Sequence, residues 1–288
     1  MTTTTAIVFG ATGDVGSAVA LRARQLGLAV ALATRSLTKP IPGLDIKLEQ
    51  SLGFTRVEAD LTQPATVYDA VVRAKANRAF IYMAYGTSDH MRSSISALKS
   101  AGIEFLVLLS SHGVQGDKRA ILPSNYIPWS NAQVEIVLEE IMGSNGFVAL
   151  RPAYFASNTL WWKSMIRERI VKTAYPDLQF DWISPKDVGY VGAALLAKSA
   201  TVSSDVLYSN FVYLCGPELL SQRDAVLAVG QALDTAIDVV SVTEDEHVQA
   251  IREGGEPEEV ARSSVEMMSI RHQQGPRDPT YSAPFYEM

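Results

Sequence analysis

Three glycines near the start of the chain, Gly10, Gly13 and Gly16, are spaced three residues apart at the end of a predicted strand. An apolar helical pattern over Val15–Leu26 follows at once, so the glycines lie in a strand–turn–helix context. There Gly10 permits the tight turn, Gly13 lets the backbone approach a pyrophosphate, and Gly16 lets helix and strand pack closely. The phosphates would bind the free N–H groups at the positive end of the helix. The residues assigned to this dinucleotide site are Gly10, Thr12, Gly13, Asp14, Val15 and Gly16.

The end of the second predicted strand, Leu28–Thr34, indicates which dinucleotide binds. An acidic side chain there would hold the ribose 2′-hydroxyl and repel a 2′-phosphate, whereas an arginine attracts that phosphate. The strand is followed by Arg35 and Ser36, with Lys39 close behind. A guanidinium can bind a phosphate through two hydrogen bonds and stack on adenine. The sequence therefore favours NADP as the cofactor.

The elements that position these residues alternate between strand and helix. Strands are expected at Ala6–Phe9, Leu28–Thr34, Phe54–Glu58, Ala79–Met83, Glu104–Ser110 and Phe147–Leu150. Amphipathic helices are expected at Val15–Leu26, Ala65–Ala74, Asp89–Ser100 and Asn131–Met142. This alternation with apolar strands predicts an α/β fold with a doubly wound parallel sheet and right-handed crossovers.

Beyond Pro152 the pattern becomes less regular. Further helices are expected at Ser157–Val171, Val188–Ala200, Ser221–Leu233 and Glu244–Glu253, and strands at Val206–Cys215 and Asp238–Ser241. The segment Gln273–Met288 has no periodicity and is interpreted as irregular chain over the site or as a disordered terminus. We expect a dinucleotide-binding domain over residues 1–152, with residues 181–215 returning to its sheet. A smaller substrate lobe and tail would comprise residues 153–180 and 216–288.

Composition restricts the classes of function. The chain has 288 residues, 47% of them hydrophobic and 19% charged, which is typical of a soluble globular protein. A formal net charge of -6 argues against non-specific nucleic-acid binding. No stretch reaches the ~20 apolar residues needed to span a bilayer, and no secretory signal is visible. We expect a cytoplasmic protein with neither nucleic acid nor membrane as partner. The histidines and Cys215 lack zinc-like spacing, so no metal is expected. The oligomeric state stays open, with a homodimer as one option.

Short motifs recur in order over about residues 5–260, and together they resemble the NmrA-like branch of the atypical short-chain dehydrogenase/reductase superfamily. They are Gly10–Gly16, Ala33-Thr34-Arg35, Ala59-Asp60-Leu61, Leu109-Ser110-Ser111, Gln133-Val134-Glu135, Leu150-Arg151-Pro152 with Phe155 and Asn158, Asp187-Val188-Gly189 and Cys215-Gly216-Pro217-Glu218. The resemblance implies a Rossmann sheet and a small C-terminal lobe that closes over the nicotinamide. Further cofactor-binding residues follow from it: Asp60 and Leu61 at adenine, Ala84 and Tyr85 at ribose, Pro152, Tyr154 and Phe155 at nicotinamide, and also Ser110 and Asn131. Asp60 could instead cap the following helix.

The resemblance also implies a catalytic serine, tyrosine and lysine. Ser111 lies at the end of the fifth predicted strand and is the candidate that orients the substrate, unless it only bonds loop backbone. Tyr126 is followed by serine where the usual spacing requires lysine, and the family's alternative lysine position holds Asn131. Asparagine can bond a ribose hydroxyl, but it lacks the charge that lowers a tyrosine pKa by ~1–3 units. The triad is therefore incomplete.

Three readings of this incomplete triad follow. The substrate could need little help with its proton, as an iminium or conjugated alkene does. Another group could act as acid or base, and the candidates are His112, Tyr126, Tyr154, Asp181 and Tyr85. The dinucleotide could also be bound without hydride transfer. The catalytic residues we predict are Ser111, His112, Tyr126 and Tyr154.

Aromatic residues suggest the kind of substrate. Those expected to line the site are Tyr85, Tyr126, Trp129, Tyr154, Phe155, Trp161 and Trp162. Their number suggests a planar apolar or aromatic substrate, including imines and indoles, although the two tryptophans could simply pack the small lobe. The favoured function is an NADP(H)-dependent oxidoreductase of a small specialised metabolite. The alternatives are a redox-neutral acid–base catalyst that keeps NADP bound, such as a cyclase, and an NADP-sensing regulator.

Overall fold

A parallel sheet organises the larger part of the chain in the computed structural model, which describes residues 4–198 and 210–274. Its seven described strands run in the order β3-β2-β1-β4-β5-β6-β9. They are β1 Thr5–Phe9, β2 Ala29–Thr34, β3 Thr55–Glu58, β4 Arg78–Tyr82, β5 Phe105–Leu109, β6 Phe147–Pro152 and β9 Phe211–Leu214. All pair in parallel. The fold is the predicted doubly wound Rossmann type, and the strand order reverses between β1 and β4.

Helices cover both faces of this sheet. They are α1 Asp14–Gln25, α2 Ile46–Ser51, α3 Pro64–Ala74, α4 Arg92–Ser100, α5 Tyr126–Met142 and α7 Pro185–Ala197. On one face, apolar residues of α3, α4 and α5 pack on Ile7, Ile81 and other strand residues in one buried cluster. On the other, α1 and α7 lie so close that a Cβ at Gly189 would come within 2.5 Å of the Ala18 Cβ. The strands are apolar on both sides because both sides are covered.

Two compact units divide the chain. The larger comprises Met1–Ile121, Ser130–Pro152 and Pro185–Leu214, and the smaller Leu122–Trp129, Ala153–Ser184 and Cys215–Met288. The strands of the smaller unit are β7 Ile170–Thr173, β8 Gln179–Asp181, β10 Leu219–Ser221 and β11 Asp238–Ser241. Its helices are α6 Lys163–Arg167, α8 Gln222–Ala232, α9 Glu244–Glu253 and α10 Glu258–Gln273. Its strands form two pairs, antiparallel β10–β8 and parallel β11–β7.

One predicted element is wrong. The helix expected over Ser157–Val171 is instead a 3₁₀ helix, Ala156–Trp162, the short helix α6, and strand β7. Strand β7 pairs with β11, and Val171 is fully buried in the core of the smaller unit. The apolar spacing in this segment is compatible with a helix or with a strand, and pairing with the distant strand β11 stabilises the strand. Residues 206–209 of the strand expected over Val206–Cys215, and residues 275–288 of the expected tail, lie outside the described residues.

Candidate functional site

The turn after β1 is built around two glycines that accept no side chain. Gly10 has a φ of 72°, and a Cβ there would lie 2.8 Å from the ring of Tyr82. A Cβ at Gly16 would lie 2.2 Å from the carbonyl oxygen of Gly10. The start of α1 therefore packs directly on the turn, which explains the first and third glycines of the motif.

Gly13 differs from both, because its backbone does not require glycine. It precedes α1 in an extended conformation, with φ -100° and ψ 166°, and a Cβ would meet only the Gly10 oxygen at 3.5 Å. The residue is exposed, and α1 has no side-chain cap. The N–H groups of the first helical turn thus remain available at the positive end of the helix dipole. An anion can approach them over Gly13, where no side chain intervenes. Asp14, also exposed, follows in the first turn.

The loop after β2 presents the residues predicted to select the coenzyme. Arg35, Ser36 and Lys39 are all exposed. The Thr34 hydroxyl donates to the carbonyl oxygen of Ser36 at 2.9 Å, which shapes the start of the loop. Arg35 lies at the carboxyl edge of the sheet, as the turn at Gly10 does.

Tyr82, at the end of β4, is a site residue that sequence reasoning missed. Its ring covers Gly10. Burial raises the pKa of Tyr82, while the charge of Arg35 lowers it and that of Asp60 raises it. The charges of Arg35 and Asp60 therefore act on a phenol whose ring lies against the β1 turn. The signal in the sequence was its place just beyond the strand-order reversal, where such sheets bind ligands.

Asp60 and Leu61 make contacts within the protein that contradict capping by Asp60, while their adenine-flanking role stays a prediction. The Asp60 carboxylate accepts from the backbone N–H and hydroxyl of Thr62, at 2.9 and 2.8 Å. Helix α3 starts after Gln63 with no side-chain cap, so capping by Asp60 is wrong. Leu61 is 2% exposed and its carbonyl accepts from Ser94, so its side chain is part of the core.

The loop after β4 carries Ala84, which is buried, and Tyr85, which is 45% exposed. The Ala84 N–H donates to the sulfur of Met91 at 3.2 Å. His90 and Met91 both adopt positive φ, 52° and 65°, a conformation unusual for side chains of this size. Tertiary contacts thus hold this loop in a strained form next to the strand-order reversal.

A buried charge network lies behind the end of β5. Arg151 on β6 binds Glu135 on α5 through two hydrogen bonds, Nε to Oε1 at 3.0 Å and Nη2 to Oε2 at 2.5 Å. Their side chains are 3% and 1% exposed. The Ser110 hydroxyl donates to Glu135 at 2.6 Å. Burial alone would lower the pKa of Arg151, but its hydrogen bond to Glu135 and the charge of that residue raise it overall. Ser110, Glu135 and Arg151, which belong to three of the motifs that carry the family resemblance, thus form one hydrogen-bonded network.

The same network reaches His112. Arg151 Nη1 donates to the Tyr213 hydroxyl at 3.1 Å, which donates to the Val114 carbonyl at 2.9 Å. The His112 ring meets Tyr213 edge-on with centroids 5.3 Å apart, and the backbone N–H of His112 donates to the Pro152 carbonyl at 3.0 Å. The loop that carries Ser111 and His112 is therefore held by contacts with β6 and β9.

Ser111 retains a proton that it can donate. Its oxygen accepts from the Gly113 N–H at 3.1 Å. No acceptor for its hydroxyl proton occurs among residues 4–198 and 210–274. Ser111 can therefore bond the loop and orient a substrate at the same time, because the loop bond uses a lone pair of its oxygen and the substrate bond would use its hydroxyl proton.

Asn131 is 5% exposed and lies one helical turn before Glu135 on α5. Residues four apart share a helix face, so Asn131 faces the sheet as Glu135 does. Helix α5 connects parallel β5 to β6 and must run back along the sheet, which places Asn131 nearer the carboxyl edge. Asn131, which replaces the expected lysine, carries no charge, and its contact with the coenzyme stays a prediction.

In the smaller unit, Tyr154 lies in an aromatic cluster. Its ring stacks on Phe180 with centroids 4.3 Å apart and meets Trp182 edge-on at 4.9 Å. Burial raises the pKa of Tyr154, and only a hydrogen bond from Asn158 acts against it. Trp162 is 3% exposed and packs in the same core, so it does not line an open chamber. Tyr126 is the first residue of α5, and Phe155 pairs with Ile183 in an isolated bridge.

Within residues 4–198 and 210–274, no three His, Cys, Asp or Glu side chains come together as metal ligands would. Of the helices in these same ranges, none has the length and apolar character needed to cross a membrane.

Comparison with protein families shows a match to the NmrA-like family over residues 2–277, so the chain belongs to that family. It is 37% identical over 277 residues to the nitrogen metabolite regulation-like protein bik4 of Gibberella fujikuroi, covering 91% of this chain and 84% of that protein. It is 24% identical over 270 residues to the NAD(P)H azoreductase of Xenophilus azovorans, covering 92% and 86%.

Solved structures share the fold at low sequence identity. The triphenylmethane reductase of Citrobacter sp., complexed with NADP(H), superposes with a TM-score of 0.69 at 13% identity, covering 96% of this chain and 92% of that one. The NADPH-dependent quinone oxidoreductase of Escherichia coli, complexed with NADPH, gives 0.68 at 17%, covering 95% and 91%. The predicted architecture is confirmed by these neighbours.

Proposed function

We propose that this member of the NmrA-like family is an NADP(H)-dependent oxidoreductase that acts on a small, planar, apolar or aromatic organic molecule. The observation that carries the proposal is the exposed, uncapped helix start at Gly13, with Arg35 at the same edge of the sheet. The first suits a pyrophosphate and the second a 2′-phosphate. Relatives and fold neighbours named as NAD(P)H- or NADPH-dependent reductases support the same coenzyme.

The residues at the carboxyl edge of the sheet fit a dinucleotide. The turn at Gly10–Gly16 would hold the pyrophosphate, Arg35 and Ser36 would hold the 2′-phosphate, and Ala84 and Tyr85 would border the ribose. Pro152, at the end of β6, borders the nicotinamide. Tyr154 and Phe155 are assigned to that end by their position in the sequence alone. When bound, the coenzyme supplies a hydride.

The chain's own groups orient the substrate more than they move its proton. The Ser111 hydroxyl donates a hydrogen bond to a polar atom of the substrate. His112, supported by Tyr213, is the nearest candidate acid in the larger unit. The phenol of Tyr154 is protonated near neutral pH, and burial raises its pKa further, so it can donate a hydrogen bond but does not serve as a base. Such a site suits conjugated acceptors that need little proton transfer, and the relatives named for azo, triphenylmethane and quinone reduction agree with this class.

The test is substrate-dependent oxidation of NADPH, followed at 340 nm with an azo dye, a triphenylmethane dye, a quinone and a cyclic iminium. We expect loss of absorbance with at least one of them. The Gly13→Ala variant serves as control, since it should fold but bind coenzyme poorly. Product formation without NADPH loss would instead show a redox-neutral enzyme that keeps NADP bound.

A second candidate function is that of an NADP-sensing regulator. It is favoured by the 37% identical relative named as nitrogen metabolite regulation-like, and by Asn131 in place of the expected lysine. Binding of NADP(H) without turnover of any compound, together with a protein partner recovered in pull-downs, would support it.

A further inference from the structure

Arg56 holds the loop that follows β2 from the neighbouring strand. It lies on β3, in register with Leu32 of β2. Its Nη1 donates to two carbonyl oxygens of the loop, that of Leu37 at 2.6 Å and that of Lys39 at 2.8 Å. One guanidinium nitrogen thus fixes the backbone immediately after Arg35 and Ser36.

Glu49 fixes the guanidinium in turn. Arg56 Nε donates to Glu49 Oε2 at 2.8 Å, and Nη2 donates to Oε1 of the same carboxylate. The two side chains are only 18% and 10% exposed. The hydrogen bond to Glu49 raises the pKa of Arg56. Glu49 lies on α2, whose first turn is capped by the Asp45 side chain. The planar fork of arginine can serve both partners at once, and a lysine ammonium cannot.

Few other contacts restrain this part of the loop. Residues 35–40 are all exposed, so no side-chain packing fixes them. Beyond Arg56, the hydrogen bonds that restrain it are one from Thr34 to the Ser36 carbonyl, a backbone bond from Lys39 to that carbonyl at 3.3 Å, and one between the Ser36 and Thr38 hydroxyls at 3.2 Å. Without Arg56, the carbonyls of Leu37 and Lys39 would bind water and the loop would gain freedom.

We propose that Arg56, oriented by Glu49, is a positioning residue for coenzyme selectivity, because it pre-orders the loop that presents Arg35 and Ser36 to the 2′-phosphate. The inference rests on the proposed NADP(H) function. Arg56 acts through the backbone and does not itself bind the phosphate. A protein that must order a loop on binding binds its ligand more weakly, and the contacts of Arg35 and Ser36 with the 2′-phosphate are the ones that NAD⁺ lacks. Loss of Arg56 therefore weakens NADP⁺ and largely spares NAD⁺.

The test measures dissociation constants for NADP⁺ and NAD⁺ by calorimetry in wild type, Arg56→Met and Arg56→Lys. In Arg56→Met we expect the preference for NADP⁺ to fall by about tenfold, with NAD⁺ affinity changed less than about threefold. Arg56→Lys keeps the charge without the fork and should lose most of the preference. The matched control is Arg73→Met, which removes an equal charge from an exposed position on α3 and should leave the preference unchanged.

Three results would overturn the inference: an unchanged preference in Arg56→Met, equal weakening of both coenzymes, or full rescue by lysine, which would indicate long-range charge. If Arg56→Met does not fold, Glu49→Gln replaces it, and an unchanged preference there counts in the same way. Failure of the proposed function is separate, because wild type would then bind neither coenzyme or would not prefer NADP⁺. The affinities of adenosine 2′-monophosphate and adenosine 5′-monophosphate, measured in the same variants, test the contribution of the 2′-phosphate without the rest of the coenzyme.

Discussion

Gly13→Ala separates the role of the glycine turn in binding from its role in folding. Gly13 has an extended backbone that alanine adopts readily, and the added methyl group would meet only the Gly10 oxygen, at 3.5 Å. At Gly16 the same change would place a methyl group 2.2 Å from that oxygen, so the start of α1 would have to move. Both substitutions add one methyl group, but the structure has room for it at Gly13 and none at Gly16.

The expected magnitudes follow from these distances. For Gly13→Ala, the poorer helix cap costs about 0.5–1 kcal/mol, and the stiffer unfolded chain returns about 0.4–1 kcal/mol. The free energy of unfolding should therefore stay within about 1 kcal/mol of wild type. For Gly16→Ala we expect a loss of at least about 1–3 kcal/mol, as for other overpacked sites.

Coenzyme binding, unlike stability, should be strongly affected by Gly13→Ala. A methyl group on Gly13 holds the pyrophosphate away from the N–H groups of α1. Loss of one hydrogen bond to a charged group is worth about 1.5–3 kcal/mol, which corresponds to roughly 10- to 150-fold weaker binding. Urea unfolding and coenzyme titration of the same Gly13→Ala preparation measure both quantities. Wild-type affinity in a stably folded Gly13→Ala protein would refute the placement of the phosphates.

Three further predictions follow from the charged groups. Arg35→Asp should weaken NADP⁺ by on the order of 10- to 100-fold and NAD⁺ far less; equal effects in titration would reject the 2′-phosphate assignment. Arg151→Met should cost about 3–5 kcal/mol in urea unfolding because it leaves Glu135 buried and unpaired, whereas adding Glu135→Leu should recover part of this loss; additive losses in the double variant would contradict the coupling. His247 is 2% exposed, and burial lowers its pKa to about 4 from 6.5. The unfolded chain thus binds a proton over this interval that the folded protein does not, so stability should fall by up to about 3 kcal/mol as the pH drops from 6.5 to 4; His247→Gln should flatten that profile, and an unchanged slope would count against it.

The sequence predicted the larger sheet well because its signals are local. Each strand of the first half is a short apolar run next to an amphipathic helix, and the predicted bounds of these strands differ from those found by at most two residues. The smaller unit was harder. Strand β7 depends on β11, about 70 residues later in the chain, and helical spacing does not reveal such a partner. Helix α10 went unpredicted although Pro257 and two glutamates mark its start and its buried residues Ala261, Val265 and Met268 have helical spacing.

The candidate site shows the same division between local and non-local signals. Gly10, Gly13 and Gly16 identified the turn through their spacing and through the strand and helix on either side of it. Ser110, Glu135 and Arg151 were each noticed as motifs, but nothing in the sequence joins three segments into one buried network. Buried ion pairs are uncommon, and the sequence does not show whether a charged residue is buried in such a pair or exposed at the surface. Tyr82 was missed for a similar reason, because its contact with Gly10 forms only when β1 and β4 pair.

The most direct test of the central claim is calorimetric titration of the wild-type protein with NADP⁺, NADPH and NAD⁺. The account predicts saturable binding of both NADP forms at one site, and weaker binding of NAD⁺. Absence of heat with all three, confirmed by unchanged thermal stability at high coenzyme concentration, would contradict it.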